Sequence, residues 1–332
     1  MKNLSWILTG AAILEAGVMM ALPYLSPRQM FFGVRTGAEF RASQSGRKVL
    51  LQYWGQVFGW SVVTLALLLG VGRLPDRFAA WLAMLPIVGA LIGFVQAYFR
   101  VRPHALASDE VREAELTPAD DGMPWWGWLA LPPFVGPVAA MLYLRAHWDE
   151  IPARYPVHFD INGQPNRWVE RTERAVFAPL WFAEGMLLLL LLLWAAVLIG
   201  SRKSVRPTAL PGVFVAAMYV ASVNFSAIGL MPAVHVPGAV MIGPTMAFVL
   251  AVLVWGYRRN SDPNARMEVT PDECWTLGGI YRNPNDPAIF VQKRIGFGYT
   301  VNFGNVWSYV VLGGFTLGAI GLAAWLKWAM RG

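Results

Sequence analysis

Met186-Leu187-Leu188-Leu189-Leu190-Leu191-Leu192-Leu193 contains no polar side chain and sits inside a longer apolar run from about Phe177 to Ile199. A helix needs about 20 such residues, at 1.5 Å rise each, to cross a hydrocarbon layer of roughly 30 Å. Seven more runs of this kind lie outward from it: about Leu4–Leu25, Leu51–Val71, Phe78–Phe99, Pro124–Tyr143, Leu210–Leu230, Gly238–Tyr257 and Val306–Trp328. The predicted fold class is an all-α polytopic membrane protein with about eight transmembrane helices. Composition points the same way. Of 332 residues 56% are hydrophobic and only 14% charged, against roughly 25% charged in an ordinary soluble domain. The 16 tryptophans suit a chain with two headgroup layers to fill. The first run is longer than a signal-peptide core and lacks a small-residue cleavage pattern after it, so it reads as a membrane helix. The single cysteine, Cys274, leaves no intrachain disulfide to form.

The polar stretches divide the chain. Residues 1–100 form a three-helix segment with a basic loop at 26–50, and 101–123 an acidic linker. Residues 124–200 form a helix–loop–helix unit and 201–257 two further helices. Residues 258–304 form an interfacial loop subdomain, and 305–332 hold the last helix. Pro132, Pro133 and Pro137 interrupt the fourth helix. It must kink, and the carbonyls freed there must find partners inside the bundle.

Eight crossings put both termini on one side. That side carries Lys2, Arg73, Arg77, Arg145, Arg154, Arg167, Arg171, Arg174, Lys327 and Arg331, which leaves 17 of the 27 basic residues on the other. The more basic side is cytoplasmic by the positive-inside rule. Both termini and the His158 loop are thus predicted outside. The Arg35 loop and the Trp275–Phe303 region are predicted in the cytoplasm. The net charge of +7 lies mostly in loops, where it serves orientation and anionic lipid rather than nucleic acid.

The chemistry concentrates in the outer stretch Tyr155-Pro156-Val157-His158-Phe159-Asp160-Ile161-Asn162-Gly163-Gln164-Pro165-Asn166-Arg167-Trp168. In an extended segment His158 and Asp160 point to one face, where they suit a metal ion or an acid–base pair. The blander reading bonds His158 to backbone and lets Asp160 cap the Asn162-Gly163 turn. A third reading makes His158, Asp160, Asn162, Arg167 and Trp168 a recognition loop. His147 and His235 fall on the same predicted side. Glu15 and Glu184 are intramembrane acids, which by default suggest ion or proton handling, or pairing. Glu184 lies one to two turns into its predicted helix, close enough to reach Arg174 or the interface. Asn224 is read as holding helices together. No nucleotide loop, zinc-protease motif, paired cysteines or serine elbow occurs, and no catalytic residue, metal or cofactor is assigned.

Residues 151–168 resemble the signature of the SdpI-like membrane proteins (domain of unknown function 1648). Pro152, Pro156, His158, Phe159, Gly163, Pro165 and Trp168 match it, while Asp160 and Asn166 stand where asparagine and aspartate are frequent. Phe32-Gly33-Val34-Arg35-Thr36 is similar to the basic cytoplasmic loop of that family. The region from Trp275 to Phe303 resembles a second family (domain of unknown function 5808) through Gly278–Tyr281, Asn283–Pro287, Phe290-Val291, Lys293-Arg294, Gly296–Gly298 and Thr300–Gly304. The resemblance implies a bacterial cell membrane and a sensor or immunity role without enzymatic activity. The outer loop would receive an extracellular peptide. Arg35, Asn283, Asp286, Lys293 and Arg294 would face a cytoplasmic regulatory protein. A transporter using Glu15 and Glu184 is the alternative from a second class, and a membrane enzyme using His158 and Asp160 from a third.

Overall fold

A computed structural model of the protein describes residues 2–70, 76–106, 126–159, 164–201, 210–261, 270–296 and 298–330. Most of the acidic linker and the basic loop after Ser201 lie outside the described residues. So do Asp160 and Asn162 of the outer stretch. Among the described residues the helices are α1 (Lys2–Leu25), α2 (Gln44–Gly70), α3 (Asp76–Ala83), α4 (Leu85–Val101), α5 (Val135–Ala146), α6 (Glu173–Ser201), α7 (Leu210–Leu230), α8 (Gly238–Ser261) and α9 (Val306–Ala329). The strands form four two-stranded sheets. They pair β1 (Met30–Phe31) with β2 (Val34–Arg35), β3 (Arg154–Phe159) with β4 (Pro165–Glu170), β5 (Trp275–Thr276) with β6 (Ile280–Tyr281), and β7 (Phe290–Gln292) with β8 (Tyr299–Val301).

The chain is a multi-pass membrane protein. Five helical stretches among the described residues are long and apolar enough to cross a bilayer: Trp81–His104, Gly127–Ala146, Glu173–Ile199, Pro211–Leu230 and Val306–Ala329. Ala12–Leu25 and Ile242–Arg258 are shorter apolar helices. The second predicted span is helical as α2, 27 residues long, but Gln52 and Gln56 make it less apolar than the five.

Several predicted boundaries move. α2 starts at Gln44 rather than Leu51, so Arg47 and Lys48 of the predicted loop are helical. The third predicted helix is broken at Met84 into α3 and α4, with Pro86 in the first turn of α4. A proline there needs no N–H partner, so the chain restarts cleanly. The fourth enters as two 3-10 turns, Gly127–Ala130 and Pro132–Phe134, before α5. α6 begins at Glu173 rather than Phe177. The all-α expectation holds for the frame and fails in the loops, where turn residues let short hairpins close.

The chain divides into two units. The first comprises Met1–Glu113, Trp255–Arg282 and Val291–Thr300, and the second Ala114–Val254, Asn283–Phe290 and Val301–Gly332. Residues 258–304, predicted as one subdomain, are shared between them.

In the first unit Phe31, Phe32, Val34, Val49, Leu50, Tyr53 and Val57 are buried together with Ala90 and Ala97 of α4. Small residues allow the close fit of α2 and α4: a Cβ on Gly89 would fall 2.4 Å from Trp60, and one on Gly93 would fall 3.2 Å from Tyr53. Pro23 in α1 has no N–H for the Met19 carbonyl four residues back. Tyr53 of α2 donates its hydroxyl to that carbonyl at 2.8 Å, and Trp54 Nε1 donates to Met20 at 3.0 Å.

The second unit solves the same problem again. Pro137 in α5 leaves the Pro133 carbonyl without its helical donor, and the Ser222 hydroxyl of α7 donates to it. Gly136 makes the approach possible, since a Cβ there would meet Ser222 Oγ at 2.5 Å. Asn224 of α7 donates to Thr245 of α8 at 2.9 Å. Gly185 of α6 receives Leu322 of α9, and Gly318 of α9 receives Leu189 of α6. Such small-residue contacts are the usual means of helix association where the surroundings are as apolar as the side chains.

Tyr53→Phe and Ser222→Ala each strand one buried carbonyl and are expected to cost about 1–3 kcal/mol. The check is the thermal unfolding midpoint of each purified variant in detergent, with Tyr219→Phe, on the exposed part of α7, as a change that leaves it in place. Wild-type midpoints for both variants would show that neither hydroxyl serves its carbonyl.

Candidate functional site

The outer stretch of the second unit is a β-hairpin. β3 and β4 pair antiparallel, with Tyr155 opposite Val169, Pro156 opposite Trp168 and His158 opposite Arg167. Tyr155 and Val169 are buried with Ala140, Leu144, Ile151, Val176 and Leu180, so one face is seated on α5 and α6. Burial pushes the Tyr155 phenol well above its ordinary pKa. Beyond that seat Asn166, Arg167 and His158 are exposed and Trp168 is 49% exposed.

An arginine clamps the base of this hairpin. Arg171 Nη1 donates to the carbonyls of Trp148 at 2.9 Å and Ile151 at 2.8 Å, and its guanidinium lies over the Trp148 ring. Its backbone N–H closes the strand pair on Ala153. Arg145 and Glu173 form an ion pair at the α5–α6 mouth, both exposed. Arg171 has no motif that singles it out. Only its position one residue past β4 hints at its role.

The register shifts between Pro156 and His158, and again between His158 and Phe159. A bulge breaks the two-residue alternation of the strand pair there, and Asp160, predicted to share a face with His158, lies outside the described residues. His158 Nδ1 lies 2.5 Å from Asn166 Oδ1 and donates to that side-chain oxygen, not to backbone as the blander reading held. Arg167 donates to the Met330 carbonyl at 3.3 Å. His147 stacks on Tyr143 and bonds its carbonyl at 2.9 Å, and His235 is exposed. Among the described residues no three His, Cys, Asp or Glu side chains gather as metal ligands would.

The intramembrane residues belong to different units. Glu15 lies in the first unit, half-buried on α1. Glu184 lies in the second, and the earlier start of α6 puts it about three turns in rather than one to two. Its Oε1 is buried without a bond among the described residues. Arg174, which the sequence offered as its partner, instead sits 4.5 Å over the Trp328 ring of α9. Asn224 bonds between helices, as described above.

The predicted cytoplasmic residues fall into two groups. Asn283 and Asp286 belong to a turn in the second unit that is organised by Asn302, a residue the sequence did not single out. Asn302 is 0% exposed. Its Nδ2 donates to the carbonyls of Asn283, Asp286 and Ala288, and its Oδ1 accepts from the N–H groups of Asn283 and Gly304. Asp286 is itself buried and accepts from Ala288 N. Asn305 caps α9 through Trp307 N and donates to the Pro287 carbonyl at 2.9 Å. These side chains are spent on the turn.

Arg35, Lys293 and Arg294 belong to the first unit. Lys293 is exposed. Arg294 is 3% exposed. It donates through Nη2 to the Thr270 carbonyl at 2.6 Å, pairs with Asp272 at 2.6 Å and lies 4.8 Å over the Trp275 ring. Burial lowers its pKa, Asp272 raises it and Arg35 lowers it.

The fold and these loops define a polytopic membrane protein with ordered polar hairpins at its surfaces. Residues 138–183 match a family model described as a domain of unknown function (DUF1648), the SdpI-like segment. They span the end of α5, the hairpin and the start of α6. Residues 284–309 match a family of unknown function (DUF5808). That match covers most of the Asn302 turn and the α9 cap, and leaves Gly278–Tyr281 outside it. No curated protein and no solved structure matches the chain.

Arg171→Ala removes the donor of two carbonyls and the base of the hairpin. Hydrogen exchange of residues 154–170 is expected to rise at least tenfold in the detergent-solubilised protein, with α6 unchanged. Equal protection in variant and wild type would show that the Tyr155 and Val169 contacts hold the hairpin alone.

Proposed function

We propose that the protein is a membrane receptor of the sensor or immunity type, which takes up an extracellular peptide on the β3–β4 hairpin without chemical conversion. The observation that carries this reading is the build of the hairpin. One face is seated on α5 and α6, and Arg171 fixes its base. The hairpin's exposed side chains include His158, Arg167 and Trp168. The sheet has two strands, so each keeps an outer edge whose N–H and C=O groups are suited to adding a strand of an extended peptide. Trp and Arg are the side chains that most often carry binding energy at interfaces.

Contacts within each unit support the predicted crossings. Gly33 and Gly278 touch, and six predicted spans separate them. Leu106 N donates to the Arg35 carbonyl at 2.8 Å, with two spans between. Arg167 bonds Met330, with four between. Each number is even, as two points on one side of a membrane require. With the charge bias this favours eight spans, both termini and the hairpin outside, and the Arg35 loop in the cytoplasm.

In a strain whose resistance to a secreted peptide toxin depends on this protein, His158→Ala and Arg167→Ala are expected to reduce survival at least tenfold at unchanged membrane levels. Full resistance in both would end the receptor reading. Topology has its own test. In a Cys274→Ser background, a membrane-impermeant maleimide applied to intact cells should label Trp168→Cys and leave Lys293→Cys untouched. Labelling of Lys293→Cys from outside would reverse the orientation.

A further inference from the structure

In the first unit two hairpin tips meet backbone to backbone. Phe32 and Gly33 turn β1 into β2, both with positive φ, and Leu277 and Gly278 do the same between β5 and β6. A Cβ on Gly33 would fall 2.7 Å from Gly278 Cα, and one on Gly278 would fall 2.6 Å from Gly33 Cα. The segment after β7 closes over both tips. Gly296 N donates to Ser26 Oγ at 2.8 Å, and Ile295 lies 3.3 Å from where a Gly279 Cβ would be. Arg35 ends the first hairpin and Arg294 opens this segment, so the contact draws two arginines into one place.

Their hydrogen-bonding capacity is not used up there. Arg294 Nη1 pairs with Asp272 as an ion pair and Nη2 donates to Thr270, but its Nε is buried with no partner among the described residues. Arg35 is half-buried, and its Nε and Nη2 are both buried and unbonded among the described residues. Those two nitrogens form one edge of the guanidinium, the edge that meets two oxygens of an oxyanion side by side. Asp272 offsets one of the two positive charges and leaves the other. Arg35 also acts on Arg294 as a like charge, so the pair is electrostatically costly by itself and suited to a shared anion. Arg28, Arg47 and Lys48 are exposed nearby in the chain, as expected where a basic loop meets a headgroup layer.

We infer that Arg35 and Arg294 form a binding site for a phosphate group, supplied by the headgroup of an anionic lipid or by free phosphate. The bidentate edge of Arg35 takes two phosphate oxygens, and the buried Arg294 Nε offers one further donor. This site is independent of the peptide reading of the outer hairpin.

The test uses the full chain, delipidated in an uncharged detergent, with the unfolding midpoint as readout. Phosphatidylglycerol is expected to raise the wild-type midpoint by about 5 °C at a hundredfold excess over its dissociation constant, with phosphatidylcholine giving none of that rise. In Arg35→Gln the rise is lost. The midpoint without lipid stays equal to or above wild type, because a repelling charge has gone and no bond has been broken. Arg47→Gln, an exposed change on the same loop, keeps the rise. A full rise with inorganic phosphate alone supports the site and assigns it to the free ion; a rise only with phosphatidylglycerol assigns it to lipid. A rise retained in Arg35→Gln, no rise in wild type with either probe, or a lower lipid-free midpoint in Arg35→Gln would each overturn the proposal, the last by making Arg35 a structural residue.

Discussion

A carbonyl oxygen without a donor is what a helix in hydrocarbon tolerates least, since no water can reach it. Pro23 and Pro137 each create one. In both cases a hydroxyl from a neighbouring helix answers: Tyr53 for Met19, and Ser222 for Pro133. The helices must then sit at the separation and rotation that bring hydroxyl and carbonyl together. Glycine at the crossing point allows the approach, as Gly136 does beneath Ser222. Prolines that look disruptive in a helical run thus become the points that specify how α1 meets α2 and how α5 meets α7.

Outside the helices the same need is met by side chains that fold loops inward. Asn302 satisfies five backbone groups of one turn, so a segment rich in asparagine and proline becomes ordered without regular structure. Arg171 does similar work for the loop before β3. These residues spend their polarity on their own backbone. The contrast with Arg35, whose forked edge is buried and unbonded among the described residues, and with the exposed Trp168 and Arg167, separates groups that build the loops from groups with bonds still to make.

The outer hairpin and the arginine pair are also supported in different ways. The hairpin owes its footing to Tyr155 and Val169, cross-strand neighbours on one face that find a seat on α5 and α6. The arginine pair owes its existence to two glycines. Gly33 and Gly278 lack the Cβ atoms that would hold their turns apart, and both have the positive φ that favours glycine.

The membrane class, the helical character of the long apolar runs and the turns around 151–168 and 275–303 were legible in the chain, because apolar length and turn residues act locally and need no partner to be recognised. The helix starts at Gln44 and Glu173 were not, since polar residues extend a helix past its apolar run wherever the first turns meet the interface. Nor was the bulge at His158, because a bulge is set by how two strands pair and leaves no mark on either one. Asn302, Arg171 and the meeting of Arg35 with Arg294 were decided only by the tertiary structure. Each depends on groups distant in the chain arriving at one place, and hydrogen-bond capacity acquires meaning only when the neighbours that do or do not fill it are in position.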